Sequence, residues 1–138
     1  MTEKNPVQLI KVSNSDLRFL YNLLKERDPR VNISHRKMPT FKEHIKFVKS
    51  KPYANWYIIK HGQKKIGSCY ISFLDEIAIH LKKEMNTANI KNEVLRIVIE
   101  KNPQERYLAN INPANKKLIQ FFKNHGFKLI QHTYELRN

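Results

Sequence analysis

The apolar residues of this chain switch repeatedly between two spacings, and this switching constrains the fold more than any other feature. Alternation at every second residue predicts strands over 8–12, 56–60, 65–73, 75–81, 106–111 and 127–136, the last as one long strand or two short ones. Spacings of three and four predict helices that begin near residues 14, 40, 87 and 115. The order β-α-α-β-β-β-α-β-α-β predicts one α+β domain over 1–138, with a mixed, mostly antiparallel central sheet flanked by helices.

Local signals mark several ends of these elements. Thr40 and Glu43 have the spacing of a capping box, which predicts a helix N-terminus at Thr40. Gly62 lies between two alternating runs and predicts a hairpin turn over 61–64. Asn115 is expected to begin the last helix, and Gly126 to end it.

Charge is the outlying property of the composition. The chain has 26 Lys and Arg against 12 Asp and Glu, a net charge of +14, and the excess is spread along its length. Such a surface attracts polyanions in general. Because the chain lacks a clustered basic arm and the motifs of nucleic-acid-binding modules, we expect no nucleic-acid partner.

Other features of the sequence bear on the location of the protein, on its cysteine and on metal binding. There is no run of about 18 apolar residues and no signal-peptide pattern, which predicts a cytoplasmic protein without a membrane partner. Cys69 is the only cysteine and lies in an apolar stretch, so we interpret it as a buried structural thiol. The histidines lack metal-ligand spacing, and no metal site is expected.

The segment LANINPANKKLIQFFKNHGF, residues 108–127, resembles the C-terminal motif of the GNAT N-acetyltransferases. Asn115, Phe122, Gly126 and Phe127 stand at that family's Asn, usual Tyr, Gly and Phe positions. The order of strands and helices agrees over nearly the whole chain. The resemblance implies a GNAT-like fold, acetyl-CoA as co-substrate, and direct transfer of acetyl to a primary amine of a small molecule, amino sugar or peptide.

The resemblance also implies where the cofactor binds. In this family the strand matching 76–81 splays from the strand matching 106–111, and the pantetheine amides pair with the exposed backbone. The implied cofactor-binding residues are Ile79, Leu81, Asn86, Thr87, Ala88, Asn89, Ile90, Lys91, Asn110, Asn115, Phe122 and Lys123.

The phosphate loop departs from the family pattern, which is Arg/Gln-x-x-Gly-x-Gly/Ala. It aligns with 86–91, where both glycines are missing. Asn89 can supply the left-handed conformation of the first glycine, and Lys91 adds a cation. Two interpretations stay open: this loop and helix N-terminus receive the pyrophosphate, or Asn86 or Thr87 only caps a structural helix.

Catalysis requires that the amine lose a proton. The resemblance points to Glu76 as the base, and strand alternation places His80 on the same face as a second candidate. The alternative is that Asp75 and Glu76 form a solvated turn and that His80 is a partly buried histidine without a catalytic role. Phe122 stands where the family often has a tyrosine acid and cannot donate a proton. Solvent, Tyr134 or His132 are the alternatives as proton donor.

The basic stretch 30–39 matches the region that walls the acceptor pocket in the family. His35, Arg36 and Lys37 are therefore expected substrate contacts, suited to an acceptor with an anionic group, or else part of a solvated loop. A degenerate GNAT protein that binds CoA without catalysis, and a basic nucleic-acid-binding module, are the competing functional classes. A homodimer is compatible with the sequence.

Overall fold

The computed structural model describes residues 6–27 and 37–138. Short 3-10 turns precede α1 and α3, at Asn14–Asp16 and Lys83–Met85. The strands and helices, in chain order, are β1 (Val7–Lys11), α1 (Leu17–Glu26), α2 (Phe41–Lys49), β2 (Asn55–His61), β3 (Lys64–Ile71), β4 (Ile77–Leu81), α3 (Ala88–Lys101) and α4 (Lys116–Asn124).

The four strands form one antiparallel sheet in the order β1-β2-β3-β4. Gly62, with φ of 66°, lies in the turn between β2 and β3, where the sequence predicted a hairpin. Gly67 is required by the close approach of β3 to β4, because a Cβ there would clash with the His80 carbonyl oxygen. The sheet confirms the predicted α+β class.

Helices cover both faces of the sheet. On one face α1 and α2 enclose a small cluster formed by Leu20, Val48 and Ile58. On the other face α3 and α4 enclose the larger core, to which they contribute Val94, Leu95, Val98, Phe121 and Phe122. Cys69 is fully buried in this core, as predicted, and burial raises the pKa of its thiol.

The predicted helix ends are confirmed by their hydrogen bonds. Glu43 N–H donates to Thr40 Oγ1 at 3.1 Å, while Thr40 N–H donates to Glu43 Oε1 at 2.8 Å. Asn115 Oδ1 accepts from Leu118 N–H at 3.3 Å and so caps α4. Gly126 follows α4 with φ of 88°, the left-handed conformation expected of a helix C-terminus.

Two of the predicted strands, over 106–111 and 127–136, are wrong. Over 106–111 the only strand pairing is one parallel bridge between Leu108 and Glu76. Over 127–136 there is no strand, and every residue of 128–138 is exposed. The alternation is present in both segments, but a strand forms only where a neighbouring backbone completes its hydrogen bonds.

Within the described ranges, no helix is both long and apolar enough to cross a membrane.

Candidate active site

One edge of β4 opens beside the segment that follows Leu108. Ile77 N–H donates to Leu108 O at 2.8 Å, so the backbone N–H of Ile77 points toward that segment. Alternate residues of an antiparallel strand point their N–H and C=O to the same side. Ile79 and Leu81 therefore direct theirs into the opening, where no described strand pairs with them. These backbone groups have the arrangement that an extended ligand with amide groups would need in order to pair as an added strand.

The N-terminus of α3 lies just beyond the end of β4. Thr87 caps the helix, since its Oγ1 accepts from Ile90 N–H at 3.3 Å. Asn89 does not take the left-handed conformation that its residue type allows, because the cap begins the helix at Ala88 and leaves Asn89 in its first turn. Among the described residues, no hydrogen bond engages the N–H groups of Ala88 and Asn89. Thr87 thus caps the helix and still leaves donors for an anion.

Two lysines add positive charge at this position. Lys91 is in the first turn of α3, and Lys117 is in the first turn of α4. Burial, and then repulsion from Lys117, lower the pKa of Lys91. Its Nζ lies 5.1 Å from the centroid of the Phe121 ring. The N-terminus of α3 thus lies beside two cations that are close enough to repel each other, an arrangement suited to a phosphate group.

Lys117 was not predicted from the sequence. The available signal was its place at the second position of a helix begun by Asn115, where a cation is unusual because it opposes the helix dipole. Lys123, which was predicted, is exposed in the last turn of the same helix, at the opposite end from Lys117.

Three other predicted cofactor residues have definite contacts within the protein. Phe122 is only 4% exposed and packs against Phe121 and Phe127, so its side chain belongs to the core. Ile90 also packs against that core. Asn110 binds Glu76 instead of facing the N-terminus of α3. Asn86 is exposed in the loop that precedes the Thr87 cap.

The carboxylate of Glu76 is held at the beginning of β4 by two donors. Ser72 Oγ donates to Oε1 at 2.8 Å, and Asn110 Nδ2 donates to Oε2 at 2.6 Å. Ser72 Oγ also accepts from the backbone N–H of Glu76 at 3.1 Å. The sequence had assigned no role to Ser72, which belongs to the turn before the predicted base.

His80 lies on the same strand face as Glu76, as the alternation predicted. Between them on that face is Ala78, which pairs with Tyr70 of β3. Burial, and then the positive charge of Arg27, lower the pKa of His80 to about 3. The imidazole is therefore neutral at neutral pH and is a weak base.

Aromatic side chains form a wall beside these two residues. The rings of Tyr53 and Tyr70 stack with centroids 3.6 Å apart and planes within 3°. Burial raises the pKa of Tyr53 and of Tyr70, so both hydroxyls stay protonated and can donate hydrogen bonds. Arg27, at the C-terminal end of α1, is close enough to interact electrostatically with both tyrosines. These three residues are far apart in the sequence and share no motif, so sequence reasoning missed them.

Two of the predicted residues, Tyr134 and His132, do not join this site. His35 and Arg36 lie outside the described residues, and Lys37 is exposed. Tyr134 is 89% exposed and His132 lies beside it with ring centroids 6.3 Å apart, so neither reaches Glu76 of its own chain. Within 6–27 and 37–138, no three His, Cys, Asp or Glu side chains are arranged to hold a metal ion.

Comparison with known proteins identifies the fold. No protein-family model and no curated protein matches the sequence. Among solved structures, an acetyltransferase from Thermus thermophilus superposes with a TM-score of 0.75 at 13% identity, covering 94% of this chain and 92% of that one. Spermidine N-acetyltransferase from Vibrio cholerae, in complex with CoA and spermine, gives 0.73 at 17% identity, covering 91% and 83%.

A third similar structure is RimL, the ribosomal L7/L12 α-N-protein acetyltransferase, in complex with coenzyme A. It superposes with a TM-score of 0.71 at 14% identity and covers 94% of this chain and 86% of that one. All three matches extend over nearly the whole chain, and all three proteins are acetyltransferases. The chain therefore has the fold of these acetyltransferases, which is the fold that the resemblance of its C-terminal motif implied.

Proposed function

We propose that this protein transfers an acetyl group from acetyl-CoA to a primary amine, with Glu76 as the proton acceptor. The observation that carries the proposal is the position of the Glu76 carboxylate. Ser72 and Asn110 hold it at the beginning of β4, the strand whose open edge leads to the N-terminus of α3. In this proposal a base and an anion-binding end lie along one strand.

The residues of the open edge fit the cofactor in their chemistry. Backbone groups of Ile79 and Leu81 would pair with the pantetheine amides. The free N–H groups of Ala88 and Asn89, together with Lys91 and Lys117, would receive the pyrophosphate. Lys123 remains a predicted contact for a more distant phosphate of CoA. Acetyl-CoA supplies an acetyl carbon activated by its thioester.

The protein's part in the reaction is the control of a proton. An alkylammonium has a pKa near 10, so at neutral pH most of the acceptor must lose a proton before its nitrogen can attack. Glu76 attracts the ammonium and takes that proton, directly or through water. The new C–N bond forms as the C–S bond breaks, and the acylated nitrogen gives its second proton to water. The departing thiolate takes a proton from solvent because Phe122 has none to donate.

The acceptor lies on the α1 side of β4 in this proposal. The stacked rings of Tyr53 and Tyr70 offer a flat apolar surface for its carbon skeleton, and their hydroxyls offer hydrogen bonds. The neutral imidazole of His80 can orient the amine without competing for its proton. Lys37 and its neighbours His35 and Arg36 are the predicted contacts for an anionic group on the acceptor.

A thermal-shift series with acetyl-CoA, desulfo-CoA and short duplex DNA tests the proposal. A ligand at about 100 times its Kd stabilises the folded state by about 2.7 kcal/mol, which is readily measured. We expect both CoA compounds to raise the melting temperature, and DNA to raise it less and only at low salt. Stabilisation by DNA alone would favour the nucleic-acid-binding class. No shift with millimolar acetyl-CoA would refute the proposal.

A further inference from the structure

The residue before Glu76 has an unusual backbone conformation. Asp75 has φ of 68°, in the left-handed region. In the part of the chain that the structure describes, the one other residue with a side chain in this region is Lys51, with φ of 52°. A Cβ makes this conformation unfavourable, whereas glycine adopts it readily. Glycine would therefore suit this backbone better than aspartate, unless the side chain of Asp75 makes an interaction that offsets the strain.

The side chain of Asp75 binds a segment that is distant in the sequence. Gln104 Nε2 donates to Oδ1 at 3.0 Å, and Arg106 Nε donates to Oδ2 at 3.4 Å. These partners follow Asp75 by 29 and 31 residues, so they are not the local bonds that help aspartate to tolerate a left-handed backbone. The side chains of Asp75 and Arg106 are 41% and 66% exposed, and such an ion pair adds little to stability. The contacts therefore join two segments more than they stabilise the fold.

The segment that receives Asp75 is attached to the end of α3. Gln104 Nε2 also donates to Arg106 O at 2.8 Å, and Gln104 N–H donates to Tyr107 Oη at 3.1 Å. Tyr107 Oη in turn donates to Asn102 O at 2.6 Å. Asn102 directly follows α3 and is buried. Asp75 thus ties the turn before β4 to a segment that is itself held to the core.

Backbone hydrogen bonds continue this attachment up to the base. Leu108 N–H donates to Asp75 O at 2.8 Å, and Ile77 N–H donates to Leu108 O at 2.8 Å. These two bonds form the bridge that places Leu108 beside Glu76. Two residues further on, Asn110 Nδ2 donates to the Glu76 carboxylate at 2.6 Å. The direction of that carboxylate therefore depends on the register between the two segments, and the contacts that set this register begin at Asp75.

We propose that Asp75 is a positioning residue for Glu76. Its carboxylate holds the 72–76 turn against residues 104–108, so that the Asn110 amide meets the Glu76 carboxylate. The inference rests on the proposed function, because it takes Glu76 as the proton acceptor. Asp75 and Glu76 are then two held groups and not a solvated turn. Strained backbone that the surrounding contacts hold in place is a recurrent feature of active sites, and Asp75 fits that description.

The side-chain amide of Asn110 reports the position of Glu76 without any need for catalysis. A short hydrogen bond to a carboxylate moves the NMR signal of the bonded amide proton downfield, and Glu76→Ala gives its position without that bond. We expect Asp75→Gly, which suits the left-handed backbone and lacks the carboxylate, to move the signal most of the way to the Glu76→Ala position. Asp75→Asn retains an oxygen that can accept from Gln104 and should restore much of the wild-type shift.

Lys51→Gly is the matched control, because it replaces the other left-handed residue at an exposed position outside the site. It should leave the Asn110 signal unchanged. A wild-type signal in Asp75→Gly overturns the proposal, because the register would then not need the carboxylate. An Asp75→Gly chain that circular dichroism shows to be unfolded also overturns it, because the carboxylate would then serve stability.

A double-mutant cycle tests whether Asp75 acts on catalysis through Glu76. Asp75→Gly should lower kcat by about tenfold in the wild-type background and leave the dissociation constant for acetyl-CoA unchanged. In the Glu76→Gln background it should have little effect, because the carboxylate to be positioned is already absent. Equal losses in the two backgrounds overturn the proposal, since Asp75 would then act by another route.

The cycle also separates this inference from the proposed function. A large loss in Glu76→Gln with none in Asp75→Gly overturns the role of Asp75 alone. Normal turnover in Glu76→Gln contradicts Glu76 as the proton acceptor and overturns both proposals, whatever the Asn110 signal shows.

Discussion

Asn110 Nδ2 lies 2.6 Å from Glu76 Oε2, so a side chain from the segment after Leu108 orients the carboxylate at the beginning of β4. We expect Asn110→Ala to reduce kcat about tenfold or more, because a hydrogen bond to a charged group contributes about 1.5–3 kcal/mol. The dissociation constant for acetyl-CoA should change little. Steady-state kinetics with titration calorimetry separates the two effects. A loss of acetyl-CoA affinity at constant kcat would return Asn110 to its originally predicted role as a cofactor contact.

Lys91 is expected to affect stability and affinity in opposite directions. Burial and the neighbouring Lys117 disfavour its charged form, so Lys91→Met should raise the melting temperature of the free protein. The same change removes a cation from the phosphate site and should weaken acetyl-CoA binding by about tenfold or more. Lys101→Met, an exposed lysine in the last turn of α3, is the control: it should leave acetyl-CoA affinity unchanged and should not raise the melting temperature, because a cation there favours the helix. Unchanged affinity in Lys91→Met would move the pyrophosphate elsewhere.

His80 should give the protein an acid-sensitive stability. The pKa is 6.5 for an ordinary histidine and about 3 in the folded chain. Between these values the unfolded chain binds a proton that the folded chain excludes, so the free energy of unfolding falls as pH falls through this range. The contribution is complete above about pH 6.5.

NMR of the His80 ring measures this directly. Its signals should not titrate between pH 5 and 8, and His80→Gln should flatten the decline of stability over the acid range. A ring that titrates with a midpoint near 6.5 would contradict the prediction and make His80 a competent base in place of Glu76.

Gly67 should tolerate no side chain. A Cβ there would clash with the carbonyl oxygen of His80, and relief requires β4 to move away from β3. We expect Gly67→Ala to lower the free energy of unfolding by about 1–3 kcal/mol in urea titration. Gly126→Ala is a useful comparison, because no atom lies within 4 Å of the added Cβ and only its φ of 88° opposes the change. A Gly67→Ala loss no larger than the Gly126→Ala loss would mean that the strands separate easily.

Local chemistry explains which parts of the fold could be predicted from the sequence. The cap at Thr40, the cap at Asn115 and the turn at Gly62 are each fixed by residues within a few positions of one another. The same local chemistry decides the conformation of Asn89, which could have been left-handed and is not. Thr87 starts the helix before it, and a helical residue cannot also take the left-handed conformation.

The remaining parts depend on contacts between distant residues. The strand predicted over 127–136 has the right alternation, but a pattern cannot state whether a second backbone lies beside it. In the same way, Tyr53 and Tyr70 stack only because two strands and a loop bring them together. Glu76 was predicted through family resemblance, whereas Ser72, which holds its carboxylate, became apparent only from the hydrogen bond.

Transfer of labelled acetyl tests the proposed function most directly. The protein is incubated with acetyl-CoA labelled in the acetyl group and with a panel of primary amines: polyamines, amino sugars, amino acids and peptides. Free CoA thiol and labelled amides are then measured together. We predict an amide product in amounts equal to the released thiol, at a rate that falls about 10²–10⁴-fold in Glu76→Gln while acetyl-CoA affinity is kept. Binding of acetyl-CoA without any labelled amide would contradict it and identify a CoA-binding protein without catalysis.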